Sequence, residues 1–210
     1  MTRTLVHLVR HGEVFNPEKV LYGRLDGYHL SERGQAMARV LGDYFADNDL
    51  SVVTASSLIR ARETAAPIAE PHGLPIGTDD RVIEAANTFE GQVVSLGNFL
   101  RPKHLARMYD VRTPSWGEPY AEIAARMQAA MADVRAAAEG HEAVIVSHQL
   151  PIWMARCAAE GRRLWHHPRS RECSLASVTT FAFDDADLAE ISYAEPAKHL
   201  TSDSSASVGA

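Results

Sequence analysis

The stretch LVRHGEVFNP, residues 8–17, joins the end of an apolar run to two basic side chains and a glycine. The run covers residues 5–9 and is rich in Leu and Val, which is typical of a short buried strand. It stops at Arg10, His11 and Gly12. Because a strand has no structural need for two basic side chains at its end, the pattern indicates a ligand that Arg10 and His11 face.

Further apolar segments alternate with helical patterns along the chain. We predict strands over residues 4–9, 50–54 and 143–147, and a closing hairpin of residues 174–183 and 188–193. Helices are predicted over residues 30–47, from a cap at Ser56 or Ser57 to residue 69, over residues 118–139, and through Trp153 and Met154. This alternation predicts an α/β fold: a three-layer sandwich with a mostly parallel sheet and helices on both faces. Residues 1–196 are predicted to form one domain, and the Ser- and Ala-rich residues 197–210 a flexible tail.

The composition limits the possible partners and compartments. The 210 residues carry a formal net charge of −6, which does not favour a nucleic-acid partner. Two cysteines, Cys157 and Cys173, are too few for a disulfide framework and fit a reducing compartment. The N-terminus lacks a signal-peptide pattern, and no stretch is long and apolar enough to span a bilayer. We therefore predict a cytoplasmic protein without a membrane partner. The sequence does not indicate the oligomeric state.

The ends of the predicted strands carry the candidate site, because ligands of open α/β sheets bind beyond the carboxyl ends of the strands. The first strand ends at Arg10 and His11, the second leads into a helix that begins near Arg60, and the third is followed by His148. Guanidinium groups bind phosphate through charge-assisted hydrogen bonds, and a neutral imidazole can attack phosphorus. With two Arg and a second His around the phosphoryl group, no metal ion is needed to offset its charge.

A leaving alkoxide also needs a proton, so a carboxylic acid is expected to reach the same site. Glu13, Glu84 and Glu90 are the candidates.

Two other patterns are weaker. His166 and His167 look like a metal pair, but no further ligands follow at a usual spacing, so we predict a surface loop and no metal site. Cys157 and Arg163 match the spacing of cysteine phosphatases, but Cys157 falls in a helical pattern, where a buried structural thiol is expected.

Four motifs follow one another within residues 5–152: LVRHGEVFN, SSLIRARET, RVIEAANTFEG and VIVSHQLP. Together they resemble the histidine phosphatase superfamily, also called the phosphoglycerate mutase-like family. The resemblance implies an α/β sandwich, no metal or other cofactor, His11 as the phosphorylated nucleophile and Glu84 as the proton donor. It also implies that Arg10, Arg60 and His148 bind the phosphoryl group. The sequence alone leaves open whether Glu84 or Glu90 is the donor.

Two positions depart from the family pattern. Asn16 lies one residue nearer to His11 than is usual, and Gln149 with Leu150 replaces the small residues that commonly follow the second His. We predict that Asn16 and Gln149 contact the phosphate, Gln149 through its backbone N–H.

These observations predict a metal-independent phosphomonoester hydrolase that acts through a phosphohistidine on a small phosphorylated metabolite. A mutase is the nearest alternative, although the segment between Glu84 and His148 is shorter than in the glycolytic mutases of the family, and a shorter cover admits water more readily. A non-catalytic module that binds phosphorylated ligands is the alternative from another class. Residues 98–115 are basic, and we predict a substrate lid that uses Arg101 and Arg107. A solvated basic face is the alternative there.

Overall fold

The computed structural model describes residues 2–93, 110, 114 and 116–201. Six strands form its sheet: β1 (Arg3–Arg10), β2 (Leu50–Ala55), β3 (Ile76–Thr78), β4 (Glu142–Ser147), β5 (Val178–Asp184) and β6 (Asp187–Ala194). The α-helices are α1 (Glu32–Phe45), α2 (Ile59–Ala69), α3 (Tyr120–Ala137) and α4 (Gln149–Ala159). Every helix in the described ranges is too short or too polar to cross a membrane.

The sheet has the order β3-β2-β4-β1-β5-β6. β1, β2, β3 and β4 run parallel to one another, whereas β5 pairs antiparallel with β1 and β6 closes the sheet as the second strand of a hairpin. The central position of β1 explains its nearly continuous apolar sequence, because both faces of a central parallel strand are buried. The predicted α/β fold with a mostly parallel sheet is confirmed.

Helices cover both faces of the sheet. Val9 of β1 packs in one core with Met37 of α1 and Ile68 of α2. Val6 and Leu8 point the other way and pack in a second core, which α3 and α4 cover. This is the alternation expected when successive strand side chains point to opposite faces. The result is the predicted three-layer arrangement.

Several details differ from the sequence predictions. The short edge strand β3 was not predicted, because three residues carry too little periodicity to indicate a strand. Ser31 caps α1 as predicted and accepts a hydrogen bond from the Gly34 N–H. For α2, however, the N-cap is Leu58, without a side-chain cap, so the predicted cap at Ser56 or Ser57 is wrong. The hydroxyl of Ser56 is bonded elsewhere, as described below.

The packed part of the chain also extends into the predicted tail. Ala197 is buried in the core beside α1 and α2, and Lys198–Leu200 form a short 3-10 helix, with Leu200 packed against the same core. The tail therefore cannot begin at residue 197. Residues 202–210 lie outside the described part of the chain, and so do Arg101 and Arg107 of the predicted lid, which stays a prediction.

The register of the sheet brings three strand ends together. Arg10 at the end of β1 pairs with Ser147 at the end of β4, and Ala55 at the end of β2 pairs with Val146. The residues that follow, His11, His148 and Ser56, therefore leave neighbouring strands at one edge. The helix after β1 covers one face and the helix after β4 the other, so a crevice opens between these two strand ends.

Candidate active site

His11 is fully buried at the end of β1, and its two ring nitrogens differ. Nδ1 lies 2.8 Å from the carbonyl oxygen of Gly12. A carbonyl only accepts, so Nδ1 carries the proton and donates it, which leaves the lone pair on Nε2. Nε2 is buried and has no hydrogen-bond partner among the described residues. Burial, followed by the charges of Arg60 and Arg10, holds the pKa of His11 well below its usual value.

A close backbone contact fixes this geometry. A Cβ atom on Gly12 would lie 2.6 Å from the backbone oxygen of Gly34 in α1, so no other residue fits without movement. The Gly12 N–H donates to the hydroxyl of Thr64, which in turn donates to the carbonyl of Arg60. The loop after β1 is thereby tied to α2.

His148 faces His11 from the end of β4, with 5.1 Å between the ring centroids. Its Nε2 lies 2.7 Å from Oγ of Ser56, and its Nδ1 lies 3.4 Å from Nη2 of Arg60. Because Arg60 can only donate, Nδ1 of His148 is the acceptor in this arrangement and Nε2 carries the proton. Burial, then the charge of Arg60, lowers the pKa of His148 well below its usual value. Ser56 holds the ring in this orientation.

The two guanidinium groups are fixed by backbone carbonyls. Nη1 of Arg10 donates to the carbonyl of Cys173 at 2.7 Å, and Nη2 of Arg60 donates to the carbonyl of Gly23 at 2.6 Å. Arg60 also lies over the ring of Tyr22, 4.8 Å from its centroid. Nε of each Arg is buried and unpartnered within the described part of the chain. Two positive charges with unused donors are the groups that binding of an anion requires.

Glu84 lies beside the same two guanidinium groups. Its Oε1 accepts from the Ala85 N–H at 2.8 Å, whereas Oε2 is buried and has no partner among the residues described. Burial raises the pKa of Glu84, although the charges of Arg60, Arg171 and Arg10 oppose this shift. A raised pKa lets the carboxyl group carry a proton at a higher pH than an ordinary Glu.

Buried hydrogen bonds hold the segment that carries Glu84. Ser147 of β4 donates through Oγ to the carbonyl of Val82 at 2.6 Å, and Nε of Arg24 donates to the carbonyl of Glu84 itself at 2.6 Å. Arg24 and Arg126 both donate to the carboxylate of Glu118, which ties the segment to α3. These hydrogen bonds hold the loop that carries Glu84 in place.

The other two candidate acids have structural partners. Glu13 accepts from the hydroxyl of Ser31 at 2.8 Å and from Arg33 at 3.1 Å, at the N-terminus of α1. Glu90 accepts from the backbone N–H of Arg24 through Oε1. Of the three, Glu84 is the one that offers a buried carboxyl oxygen without a described partner.

Asn16 and Gln149, the two predicted phosphate contacts outside the family pattern, take different places. The side-chain amide of Asn16 donates to the carbonyl of Val20 and accepts from the Val20 N–H, so it stabilises the loop of residues 16–20. No described hydrogen bond joins Asn16 to His11 or His148. Gln149 lies at the first turn of α4, where its side chain contacts the Cys173 carbonyl and Arg171.

Sequence reasoning missed three residues of this region: Ser56, Tyr22 and Arg171. Ser56 follows the carboxyl end of β2, which was a usable signal, but the residue was interpreted as a helix cap. Tyr22 and Arg171 reach the site from loops, where no periodicity marks them. Among the residues described, no group of three or more His, Cys, Asp or Glu side chains is arranged to hold a metal ion. His166, predicted in a surface loop, is instead half-buried between Tyr120 and Trp153.

Comparisons with known proteins identify the family of this chain. The model of the histidine phosphatase superfamily, branch 1, matches residues 6–195. The chain is 51% identical over 196 residues to the uncharacterized protein Rv0525 of Mycobacterium tuberculosis, covering 92% of this chain and 97% of that one. It is 32% identical over 161 residues to phosphoserine phosphatase 1 of Hydrogenobacter thermophilus, 73% of this chain and 75% of that protein. The solved structure of YhfR from Bacillus stearothermophilus aligns with a TM-score of 0.76 at 26% identity, covering 89% of this chain and 94% of that one. Since the family model spans nearly the whole chain, this protein belongs to branch 1 of the histidine phosphatase superfamily.

Proposed function

We propose that the protein is a metal-independent phosphomonoester hydrolase in which His11 is transiently phosphorylated. The observation that carries the proposal is Nε2 of His11: a buried lone pair, without a described partner, on a ring whose other nitrogen is fixed by the Gly12 carbonyl. Membership of the superfamily supports phosphoryl hydrolysis or transfer in general. The assignment of roles below is part of the proposal.

In the first step, Nε2 of His11 attacks phosphorus and a P–N bond forms while the ester P–O bond breaks. The depressed pKa keeps the imidazole neutral and nucleophilic over the physiological range. The unpartnered Nε–H groups of Arg10 and Arg60 bind the phosphoryl oxygens, whose charge they offset. Glu84, whose protonated form burial favours by raising its pKa, gives its proton from Oε2 to the departing oxygen.

In the second step, water attacks the phosphorus, Glu84 accepts the proton of this water, and the P–N bond breaks to release phosphate and neutral His11. His148 has a supporting role. An anionic phosphoryl group raises the pKa of a nearby imidazole, so His148 can gain a proton on Nδ1 and donate to a phosphoryl oxygen. The hydroxyl of Ser56 continues to accept from Nε2–H in that state.

Hydrolysis is favoured over a mutase reaction by the relative named phosphoserine phosphatase 1, which is 32% identical. Other relatives, at 29% identity or less, are named probable phosphoglycerate mutases, so phosphoryl transfer between substrate positions is the second candidate. A small phosphorylated metabolite as substrate, a role of the Gln149 N–H at the phosphate and a cytoplasmic location remain predictions.

The test is phosphate release from p-nitrophenyl phosphate by purified protein in the presence of a chelator. We expect turnover without added metal, and a ³²P label that is trapped on the protein from a labelled monoester and is lost in acid but stable in base, as phosphohistidine is. A mutase would give little net phosphate release. Absence of turnover and of label would overturn the proposal, and activity that disappears with chelator and returns with zinc or magnesium would refute its metal-independence.

A further inference from the structure

Arg171 is a half-buried cation whose described hydrogen bonds go to neutral groups. Its Nε–H donates to Nε2 of His166 at 2.8 Å, and its Nη1–H donates to Oε1 of Gln149 at 3.3 Å. Nη2 of Arg171 has no hydrogen-bond partner among the described residues, and it does not belong to the buried side-chain atoms that lack one. A buried or half-buried guanidinium is usually paired with a carboxylate, because its charge is costly to remove from water. Here the described hydrogen bonds of the guanidinium go to neutral groups, and Glu84 acts on its charge without a described hydrogen bond to it, so the N–H groups of Arg171 remain available to an anionic ligand.

His166 is built to hold Arg171 in one orientation. Its Nδ1 lies 2.6 Å from the carbonyl oxygen of Leu164, so Nδ1 carries the proton and Nε2 presents a lone pair to Arg171. The ring lies between Tyr120 and Trp153, with centroid distances of 5.5 Å and 5.9 Å. Burial lowers the pKa of His166, which favours the neutral form that this hydrogen bond requires.

Gln149 connects Arg171 to the active site. Its Nε2 donates to the carbonyl of Cys173 at 3.4 Å, and this same carbonyl accepts from Nη1 of Arg10 at 2.7 Å. The Cys173 carbonyl and the Gln149 amide therefore link Arg10 to Arg171, and the charge of Arg10 acts on Arg171 as a like charge. Two cations linked in this way favour an anionic ligand beside them.

The electrostatics add to these contacts. Arg60 and Arg10 act on His11, the attacking group of the proposed mechanism. Arg171 acts on Glu84, the proposed donor to the leaving oxygen, together with Arg60 and Arg10. Because the leaving oxygen joins the phosphoryl group to the rest of the substrate, a cation that acts on Glu84 suits an anionic group on the leaving alcohol.

We propose that Arg171 is a substrate-binding residue that recognises a second anionic group, carboxylate or phosphate, on the leaving alcohol, and that His166 and Gln149 are its positioning residues. This inference rests on the proposed phosphatase function and narrows it to monoesters whose alcohol part carries a second anionic group. A charge-assisted hydrogen bond to such a group contributes about 1.5–3 kcal/mol, equivalent to roughly 10- to 100-fold in kcat/KM.

The test compares three-carbon substrates that differ at one position: glycerol 3-phosphate, which has no second anion, 3-phosphoglycerate, which has a carboxylate, and glycerol 1,3-bisphosphate. The variant is Arg171→Gln, and the control is Arg169→Gln, which removes the same charge from an exposed side chain two residues away. We expect Arg171→Gln to lower kcat/KM about 10- to 100-fold for the second-anion substrate that the wild type prefers, and less than about 3-fold for glycerol 3-phosphate. The preferred substrate identifies the anion.

His166→Phe tests the positioning role, because Phe keeps a ring between Tyr120 and Trp153 but cannot accept from Arg171. We expect a selective fall in kcat/KM, through a higher KM, for the substrate with a second anionic group, and a smaller change for glycerol 3-phosphate. Equal losses on all substrates would make Arg171 a ligand of the reacting phosphoryl group, and a wild type without preference for a second anion would also overturn the inference. In both cases p-nitrophenyl phosphate is still hydrolysed. If the wild type hydrolyses none of the substrates, the proposed function fails, and this inference fails with it.

Discussion

His7 and His11 lie four residues apart on the same central strand and its end, and both are buried, yet their surroundings are opposite. Both nitrogens of His7 are partnered, Nδ1 with the hydroxyl of Thr180 at 2.8 Å and Nε2 with Glu142 at 2.9 Å. His11 has one partnered nitrogen, and the other is buried without a described partner. Native proteins satisfy nearly all buried polar atoms, so an unsatisfied one requires an explanation. His7 is thus satisfied by its protein neighbours, whereas His11 at the carboxyl end of β1 keeps an acceptor that a ligand can use.

The arginines repeat this contrast. Arg126 uses Nε, Nη1 and Nη2 in bonds to Glu118 and to the carbonyl of Arg81. Arg10 and Arg60 are more deeply buried, but Nε of each is unpartnered within the described residues. A guanidinium whose three nitrogens are all hydrogen-bonded, such as that of Arg126, holds the loop of Glu84 in place. A guanidinium with an unpartnered N–H can bind phosphate. Among these histidines and arginines, hydrogen-bond saturation distinguishes His7 and Arg126 from His11, Arg10 and Arg60 more clearly than burial does.

The largest effect on activity is expected when His11 is replaced, and replacement of His7 is the matched comparison. His11→Ala should lower kcat by at least about 10⁴-fold and abolish the phosphohistidine label, because the second imidazole at this edge, His148, is held by Ser56 and Arg60 and does not take over the attack in the proposed mechanism. His7→Gln should leave kcat within about 3-fold and lower the unfolding free energy by about 1–3 kcal/mol, since it disturbs satisfied buried bonds. Steady-state kinetics and urea denaturation of both variants check this. A His11→Ala variant with near wild-type turnover would contradict the central claim.

The second effect separates the two candidate acids. Glu84→Gln cannot protonate an alkoxide, so kcat/KM for an alkyl monophosphate should fall about 10²- to 10⁴-fold. Nitrophenolate leaves without a proton, so phosphorylation by p-nitrophenyl phosphate should persist while the second step, which needs a base, slows. Stopped-flow measurement should then show a burst of nitrophenolate and accumulation of phosphohistidine.

Glu90→Gln is the matched control for this experiment, because Glu90 bonds the backbone of Arg24 and lacks a buried oxygen without a partner. It should show no burst. A burst in Glu90→Gln and none in Glu84→Gln would reverse the assignment.

The pH dependence of kcat/KM gives a second test of the role of Glu84. In the proposed mechanism Glu84 is protonated in the first step, and burial raises its pKa, so kcat/KM of the wild type for an alkyl monophosphate should fall as the pH rises through that pKa. His11 must be neutral, and its lowered pKa moves the acid limb well below the usual range of histidine. Glu84→Gln should lose the alkaline limb and keep the acid one.

The sequence predicted the sheet and the strand-end residues because both depend on local patterns. Apolar runs mark the central strands, and the basic residues directly after β1 and β4 must share an edge in a parallel sheet. Ser56 shows where this reasoning fails. A Ser before a helical pattern is equally typical of an N-cap, and only the register of β2 against β4 turns its hydroxyl toward His148. Arg171 is still harder to predict from the sequence, because its position depends on contacts with Gln149 of α4 and with His166, and no periodic pattern indicates these contacts.

A smaller effect is expected from Ser56, which orients His148 without touching the reacting atoms in the proposed mechanism. Ser56→Ala removes one hydrogen bond to Nε2, which corresponds to about 1–1.5 kcal/mol, or roughly 10-fold in kcat/KM. The neighbouring Ser57 is exposed and serves as the control, and Ser57→Ala should have no effect. Restoration of activity by Ser56→Thr, which keeps the hydroxyl, would distinguish orientation from packing. If Ser56→Ala matched the wild type, His148 would need no partner at Nε2.

The smallest effect concerns Glu142, the hydrogen-bond partner of His7, and its contribution to the stability of the fold in acid. The hydrogen bond from His7 is the main cause that lowers the pKa of Glu142, and Asn48 adds a second bond. A carboxyl whose folded pKa lies below its unfolded value of about 4.5 contributes stability above that value, and this contribution is lost as the pH falls through the folded pKa. Glu142→Gln should therefore reduce the unfolding free energy near pH 6 by no more than about 1 kcal/mol, since the group is partly screened by solvent. The difference from the wild type should shrink below about pH 4.5. Urea denaturation between pH 6 and pH 3.5 measures it, with the exposed Glu190→Gln as a control that should show little difference at any pH. A wild type and a Glu142→Gln variant that differ by the same free energy throughout this range would show that the His7–Glu142 contact does not depend on the charge of Glu142.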